Sequence, residues 1–469
     1  MPRLMRCKYC GTLQDEPAGA KVCVQCGGEL AWEEPPPPTD RSYVSAQLEL
    51  DQIAAPANQI TERHLILTVE TPDVVPQEEQ AKSDSGRDAL HFVAVLDISG
   101  SMSGGSKIQA AKQAVRDAVS RLQDGDTFSL VTFASDVRCP LKAKRVDANL
   151  RRVIASSLSE IRAGGQTALC GGLEEGIQQA VKASLATNLV LMLSDGQANV
   201  GETDVEAVGR RAVDARAKGV TVSTLGVGHD YNEALMAEIA IDGGGRFYHI
   251  ADASQIAAYL TGELGEMASL AARNAVVSLN LPAGTSLHAL SAAYPIQGHS
   301  VSLGDIPVST SLEVVLRVLL PPQSADSRLP IDGTLSYQSP AGSALSAALN
   351  RVTVRYDQES VFALTEGVVR PTVRRVLEHM QASGVLSTSR AATHGVTEAK
   401  QAIDIAVASM REYAQRLGED EALEEELAER AQFLGFMAAP PSAASSARAK
   451  AATHEAMRRH RGSKDFDKT

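Results

Sequence analysis

His91-Phe92-Val93-Ala94-Val95-Leu96-Asp97-Ile98-Ser99-Gly100-Ser101 is the stretch on which the reading of this chain turns. Residues 91–96 are almost continuously apolar, as expected of a strand buried on both faces. Asp97 and two spaced serines follow at its carboxyl end. Farther along come Gly165-Gln166-Thr167 and a second apolar run, residues 188–193 (NLVLML), which leads into Ser194-Asp195-Gly196. In open α/β sheets, ligands bind outside the carboxyl ends of the strands. Asp97, Asp195 and the hydroxyls of Ser99, Ser101 and Thr167 would offer only oxygen there. Such a donor set suits a hard cation such as Mg²⁺ (or Mn²⁺), which keeps some of its water and needs few carboxylates.

Alone, Asp-x-Ser-x-Ser reads more readily as a strand-to-helix turn capped by serines. The surrounding elements favour a site. A buried strand precedes the motif. An amphipathic helix follows, with Ile108, Ala111, Val115, Ala118, Val119 and Leu122 on one face. Two enzymatic readings fail. A phosphate-binding loop needs Lys directly after its second Gly, then Ser or Thr; here Ser106 precedes Lys107 and Ile108 follows it. An aspartyl phosphotransferase would want an acid/base carboxylate two residues after Asp97, where Ser99 stands.

Taken together, these stretches resemble the metal-ion-dependent adhesion site (MIDAS) of von Willebrand factor A (VWA) domains, over about residues 88–270. The resemblance implies Ser99, Ser101 and Thr167 as direct ligands and Asp97 and Asp195 acting mostly through water. It also implies a partner's Asp or Glu completing the shell. Gly165-Gln166-Thr167 carries one residue more before Thr than the commonest Gly-Gly-Thr form. Asp97 is expected in a surface cleft, with little packing to lose.

The 469 residues suggest about two to four domains. Aromatic residues are only 4% against 44% hydrophobic, so the cores must be aliphatic. A net charge of −12 disfavours nucleic acid as a general partner. No run of 18 apolar residues suggests a membrane span. The amino terminus lacks the apolar segment of a secretory signal, which leads to a cytoplasmic expectation with reduced thiols.

Four of the six cysteines fall in Cys7-x₂-Cys10-x₁₂-Cys23-x₂-Cys26. Two thiolate pairs flanking a short loop suit a tetrahedral structural Zn²⁺. Gly11 and Gly27 after the pairs permit the tight turns that aim N–H groups at sulfur. Residues 1–32 resemble a zinc ribbon. Two disulfides or a redox dithiol are the alternative readings of the same cysteines.

Prolines 35–38 stiffen a linker over residues 33–41. A doubly wound, mostly parallel α/β sheet of Rossmann type is expected over 88–272. Its strands are expected at 91–97, 127–133, 188–194, 220–227 and 246–250. Helices are expected between them, with Asp147 and Thr203 as N-caps. Short strands at 44–50 and 64–69 have no earlier partner. They are expected to join those at 275–356 in one discontinuous β-sandwich, 42–87 plus 273–357, with the VWA-like unit inserted. Bacterial VWA proteins and inter-α-trypsin inhibitor heavy chains are similar in pairing a VWA domain with strand-rich flanks. Helical periodicity at 358–438 suggests a small bundle. Residues 439–469 read as a flexible basic tail.

No nucleophile–base pair stands at a recognisable spacing, so the expected function is not enzymatic. A Mg²⁺-dependent protein-binding scaffold or adaptor is expected. An accessory subunit of an AAA+ ATPase of chelatase or MoxR type, or of a kinase/phosphatase system, is the alternative. The ribbon gives a direct test. Elemental analysis of the purified chain should find about one Zn²⁺, lost on Cys23→Ser; stoichiometric zinc after removal of residues 1–32 would contradict the assignment.

Overall fold

In the computed structural model the two apolar runs lie side by side. The structure describes residues 4–6, 13–15, 42–80, 89–104, 106–183, 185, 187–358, 365, 367–418, 421–437 and 443–461. Cys7, Cys10, Cys23, Cys26 and the proline linker fall outside these residues. The short strands Leu4–Arg6 and Leu13–Asp15 pair antiparallel.

Leu90–Asp97 and Thr187–Ser194 are parallel neighbours, with Leu96 opposite Leu193. Among the described residues they form the middle of a six-stranded sheet. Its order is Gly244–Ile250, Val220–Val227, Thr187–Ser194, Leu90–Asp97, Thr127–Phe133, Val137–Arg145. After Leu90–Asp97 the chain builds two strands on one side. It then crosses over and builds the rest on the other. The boundary between the two central strands is therefore a topological switch point, where loops diverge and leave a crevice at the carboxyl ends.

Each central strand is buried on both faces. Phe92, Ala94 and Leu96, with Leu189, Leu191 and Leu193, pack on α1 (Lys107–Arg121), α2 (Ala148–Glu160) and α6 (Ile256–Ala268). The alternate residues Val93, Val95, Val190 and Met192 pack on α3 (Leu169–Ala183), α4 (Val205–Ala217) and α5 (Glu233–Asp242). Burying each large aliphatic chain is worth about 1.5–3 kcal/mol relative to exposure. Helix α3 lies unusually close to the sheet. A Cβ on Gly176 would stand 2.6 Å from Val95 Cγ2, and one on Gly172 2.6 Å from Phe133 Cδ1.

Two details differ from the sequence expectation. Val137–Arg145 (VRCPLKAKR) is an antiparallel edge strand that the strand pattern missed. It carries Pro140 and four basic residues, the usual composition of a protected edge. Helix α4 is capped by Asp204, whose carboxylate accepts from the Ala207 N–H at 2.8 Å, not by Thr203. Asp147 does cap α2, accepting from the Leu150 N–H at 2.6 Å.

Beyond this sheet, Thr61–Glu70 pairs with Ser311–Leu320 over ten residues and with Ser45–Leu50 on its other side. Leu65, Leu67 and Val69 share a core with Val277, Leu303, Leu335 and Val354 of a second sheet built from Leu270–Asn280, Arg328–Gln338 and their neighbours. Ile66 and Val315 point the other way, under Val373, Val376 and Leu377 of α7 (Arg370–Ala392). Helices α8 (Val396–Arg416) and α9 (Glu421–Met437) pack beside α7 through Ile403, Met410, Leu427 and Leu434.

The expected flexible tail is corrected for residues 443–461, which form helix α10 (Ala443–Arg461). Its Thr453, Ala456 and Met457 are buried. The small, alanine-rich composition that suggested disorder here allows a close approach to α7, α5 and Gly244–Ile250. Lys450 is buried because its ammonium donates to the Tyr231 carbonyl and to Glu233, each at 2.7 Å.

A chain lacking residues 42–70 should expose the partnerless face and edge of Ser311–Leu320 and elute as aggregates in size exclusion with light scattering. A monodisperse monomer with unchanged melting would contradict this pairing.

Candidate metal-ion site at the carboxyl edge of the sheet

The strand register places the acidic residues. Because Leu96 sits opposite Leu193, Asp97 lies beside Ser194, and Asp195 follows at the mouth of the crevice. Asp97 and Asp195 are both fully buried. Asp97 was expected in a cleft with little packing; instead it is an internal hydrogen-bond hub. The Ser99 N–H donates to its Oδ1 at 2.8 Å and the Ser194 hydroxyl to its Oδ2 at 2.5 Å. Burial pushes its carboxyl above the usual carboxylate range; these hydrogen bonds oppose the shift and the Asp195 charge adds to it.

Ser99 and Ser101 leave the strand end in an extended-to-3₁₀ turn over Gly100–Ser103. Their hydroxyls are 3.1 Å apart, and Ser101 Oγ donates to Asp195 Oδ1 at 2.6 Å. Thr167 comes from the loop before α3. Its N–H donates to Asn199 Oδ1 at 2.8 Å, and its carbonyl accepts from the Asn199 N–H at 3.1 Å. The loop is also stitched to the motif: Gly100 N–H to the Gly165 carbonyl, and Gly164 N–H to the Ile98 carbonyl. Gly165 in this loop has a φ of 88°, a conformation that favours glycine.

All five predicted residues therefore meet. A Cβ built on Gly196 would stand 3.2 Å from Ser101 Oγ, 3.3 Å from Thr167 Oγ1 and 3.7 Å from Asp97 Oδ2. Oxygens from three separate segments thus face one small space, which stays open because residue 196 has no side chain. The donor set is oxygen alone, and three of the five members are neutral, which fits Mg²⁺ or Mn²⁺. Among the described residues, no three His, Cys, Asp or Glu side chains gather as metal ligands, so no softer site competes there.

Sequence reasoning missed four contributors. Ser194 and Asn199 orient Asp97 and Thr167. Ser135 Oγ accepts from the Gln166 N–H at 3.0 Å. Lys107 Nζ donates to Asp195 Oδ2 at 2.6 Å; it stands in the sequence directly after the serine-rich turn. His249 is bonded through Nδ1 to the Tyr231 hydroxyl at 2.7 Å, and burial lowers its pKa to about 4. Cys170 is buried, and its thiol is pushed up to about 11 by burial. A cavity of about 460 Å³ opens at the other end of the sheet, among Leu90, Thr187 and Leu264. Leu90 and Thr187 begin the strands whose far ends carry the donors, so that cavity lies a full strand length from this chemistry.

Residues 92–262 match the family model of the von Willebrand factor type A domain. With the sheet order and the converging donors above, they form such a domain. The segment is similar to protein YfbK of Escherichia coli, 32% identical over 182 residues, covering 38% of this chain and 31% of that one. It is also similar to inter-alpha-trypsin inhibitor heavy chain H1 of Sus scrofa, 31% identical over 206 residues, covering 42% and 22%. The chain thus spans about a third or less of the length of these two relatives. Two solved structures share the fold over most of the chain at 17% identity. One is a von Willebrand factor type A protein from Catenulispora acidiphila (TM-score 0.63, covering 91% of this chain and 99% of that one). The other is the ArnB paralog VWA2 from Sulfolobus acidocaldarius (TM-score 0.57, 89% and 99%).

Gly196→Ala should weaken Mg²⁺ binding by at least about tenfold in calorimetry, because its methyl enters the shared space. Gly196 has no left-handed φ, so melting should change little. Unaltered Mg²⁺ affinity would place the ion elsewhere.

Proposed function

We propose that this chain is a protein-binding scaffold whose VWA domain captures an acidic residue of a partner through Mg²⁺ or Mn²⁺. The observation that carries this reading is the convergence of Ser99, Ser101, Thr167, Asp97 and Asp195 on one space at the switch point. Ser99, Ser101 and Thr167 would hold the ion directly. Asp97 and Asp195, already engaged by hydroxyls and an N–H, would hold its waters. Bound there by mostly neutral donors, the ion supplies a Lewis-acidic position for one more oxygen, and a partner's Asp or Glu is the natural donor. The domain's own residues orient the ion and screen it.

The remaining parts fit a scaffold. The two packed sheets and helices α7–α10 support the VWA domain, with α10 tied to it through Lys450, which donates to the Tyr231 carbonyl and to Glu233. The amino-terminal segment is read as a separate zinc ribbon, with Cys7, Cys10, Cys23 and Cys26 as ligands. Among the described residues no helix is long and apolar enough to cross a membrane.

Affinity capture from cell extract in Mg²⁺, compared with EDTA, tests the mechanism. Chelation should release the captured partner, and Mg²⁺ or Mn²⁺ should restore it. Asp97→Asn should do the same as chelation. It is preferred to Asp97→Ala, which would strand the Ser99 N–H and Ser194 hydroxyl at about 1–3 kcal/mol. Capture equally strong in EDTA and with Asp97→Asn would sink the metal-bridged reading.

A further inference from the structure

Helix α1 begins with a lysine in an unexpected place. A cation at a helix amino terminus opposes the helix dipole. Lys107 nevertheless occupies the first position of α1, preceded by Ser106 in the left-handed region at φ 60°. That backbone conformation is costly for a residue with a side chain. The Lys107 ammonium contacts Asp195 at 2.6 Å. The Lys107 side chain is 19% exposed and Asp195 is wholly buried. Gly228, at φ 77°, lines the same space: a Cβ there would stand 3.4 Å from the ammonium. Asp195 has its other oxygen taken by Ser101, so each oxygen of this carboxylate already has a donor.

We propose that Lys107 is a tethered counter-ion that competes with the divalent ion for Asp195, and so sets the affinity and the exchange of that ion. The proposal rests on the metal reading above. Its logic is charge balance. Asp97 and Asp195 bring two negative charges into a buried space, and Lys107 offsets one of them. A divalent ion must approach the same carboxylates against that ammonium. It can draw fully on Asp195 only as Lys107 yields Oδ2. Ion binding is therefore an exchange of one cation for another rather than a simple addition. The two carboxylates are not left bare when the ion leaves, so the domain keeps its fold through cycles of loading and release.

The test is Mn²⁺ titration of the full chain by calorimetry and electron spin resonance, with melting measured in EDTA. Lys107→Met and Lys107→Gln should each bind Mn²⁺ at least tenfold more tightly than the unaltered chain. Both should melt lower than it in EDTA and close to it at saturating Mn²⁺. Lys107→Arg, which keeps the charge, should stay within threefold of the unaltered affinity. Crystals of the unaltered chain with and without Mn²⁺ give a readout that needs no substitution: the Lys107–Asp195 contact should be present without the ion and broken with it. Equal or weaker Mn²⁺ binding by both neutral variants, or an unbroken contact beside bound Mn²⁺, overturns the role of Lys107 and leaves the metal site standing. If no form of the chain binds Mn²⁺, the metal reading falls and this inference falls with it.

Discussion

Two carboxylates are forced together at the end of two adjacent buried strands, and the site is organised around that constraint. Asp97 and Asp195 are wholly buried. Burial disfavours the charge on Asp97, and the Asp195 charge adds to that cost. Each neighbour answers it. Ser194 and the Ser99 N–H donate to Asp97; Ser101 and Lys107 donate to Asp195. Satisfying such a cluster with hydroxyls and one ammonium rather than with arginines suits the cation site proposed above. The electrostatic tension is retained, and a positive ion can relieve it.

Holding that cluster requires rigid supports on three sides. The central strands are fixed by packing on both faces, so their register cannot slip without moving every side chain to the wrong layer. The threonine loop is fixed because α3 sits hard against Val95 and Phe133, which only the small residues Gly172 and Gly176 allow. Asn199 then ties that loop to the segment after Asp195. The donors come from three places in the chain, yet they are positioned by one sheet and one close helix contact.

Much of this was legible in the residues, and the parts that were not share a cause. The runs at 91–96 and 188–193 show themselves because burial on both faces removes polar residues altogether. The five donors could be named because a strand end followed by Asp-x-Ser-x-Ser has few other uses once a second strand ends in Asp-Gly. Val137–Arg145 was not legible, since an edge strand with exposed lysines and arginines looks like a loop. Residues 443–461 were not, since alanine and serine read as low complexity while also permitting close helix packing. Lys107 was weighed only against the spacing of a phosphate loop. Its part depends on meeting Asp195, 88 residues away in the chain, and no local pattern announces that. Asp97 stands at the expected strand end but is buried rather than at the surface, because depth depends on the loops that close over a strand end.

The pairing of Thr61–Glu70 with Ser311–Leu320 has a consequence for how the molecule is made. The first of these strands leaves the ribosome about 240 residues before its partner, on the order of tens of seconds at about 5–20 residues per second. During that interval an entire α/β domain is synthesised and can fold between them. Leu65, Ile66, Leu67 and Val69 meanwhile wait with both edges unpaired except by Ser45–Leu50, a two-stranded ribbon that is marginal in water. The emerging chain therefore passes through a stage in which the apolar side chains of this strand are uncovered. Co-translational chaperone demand should peak after the VWA domain has closed and before residue 320 appears.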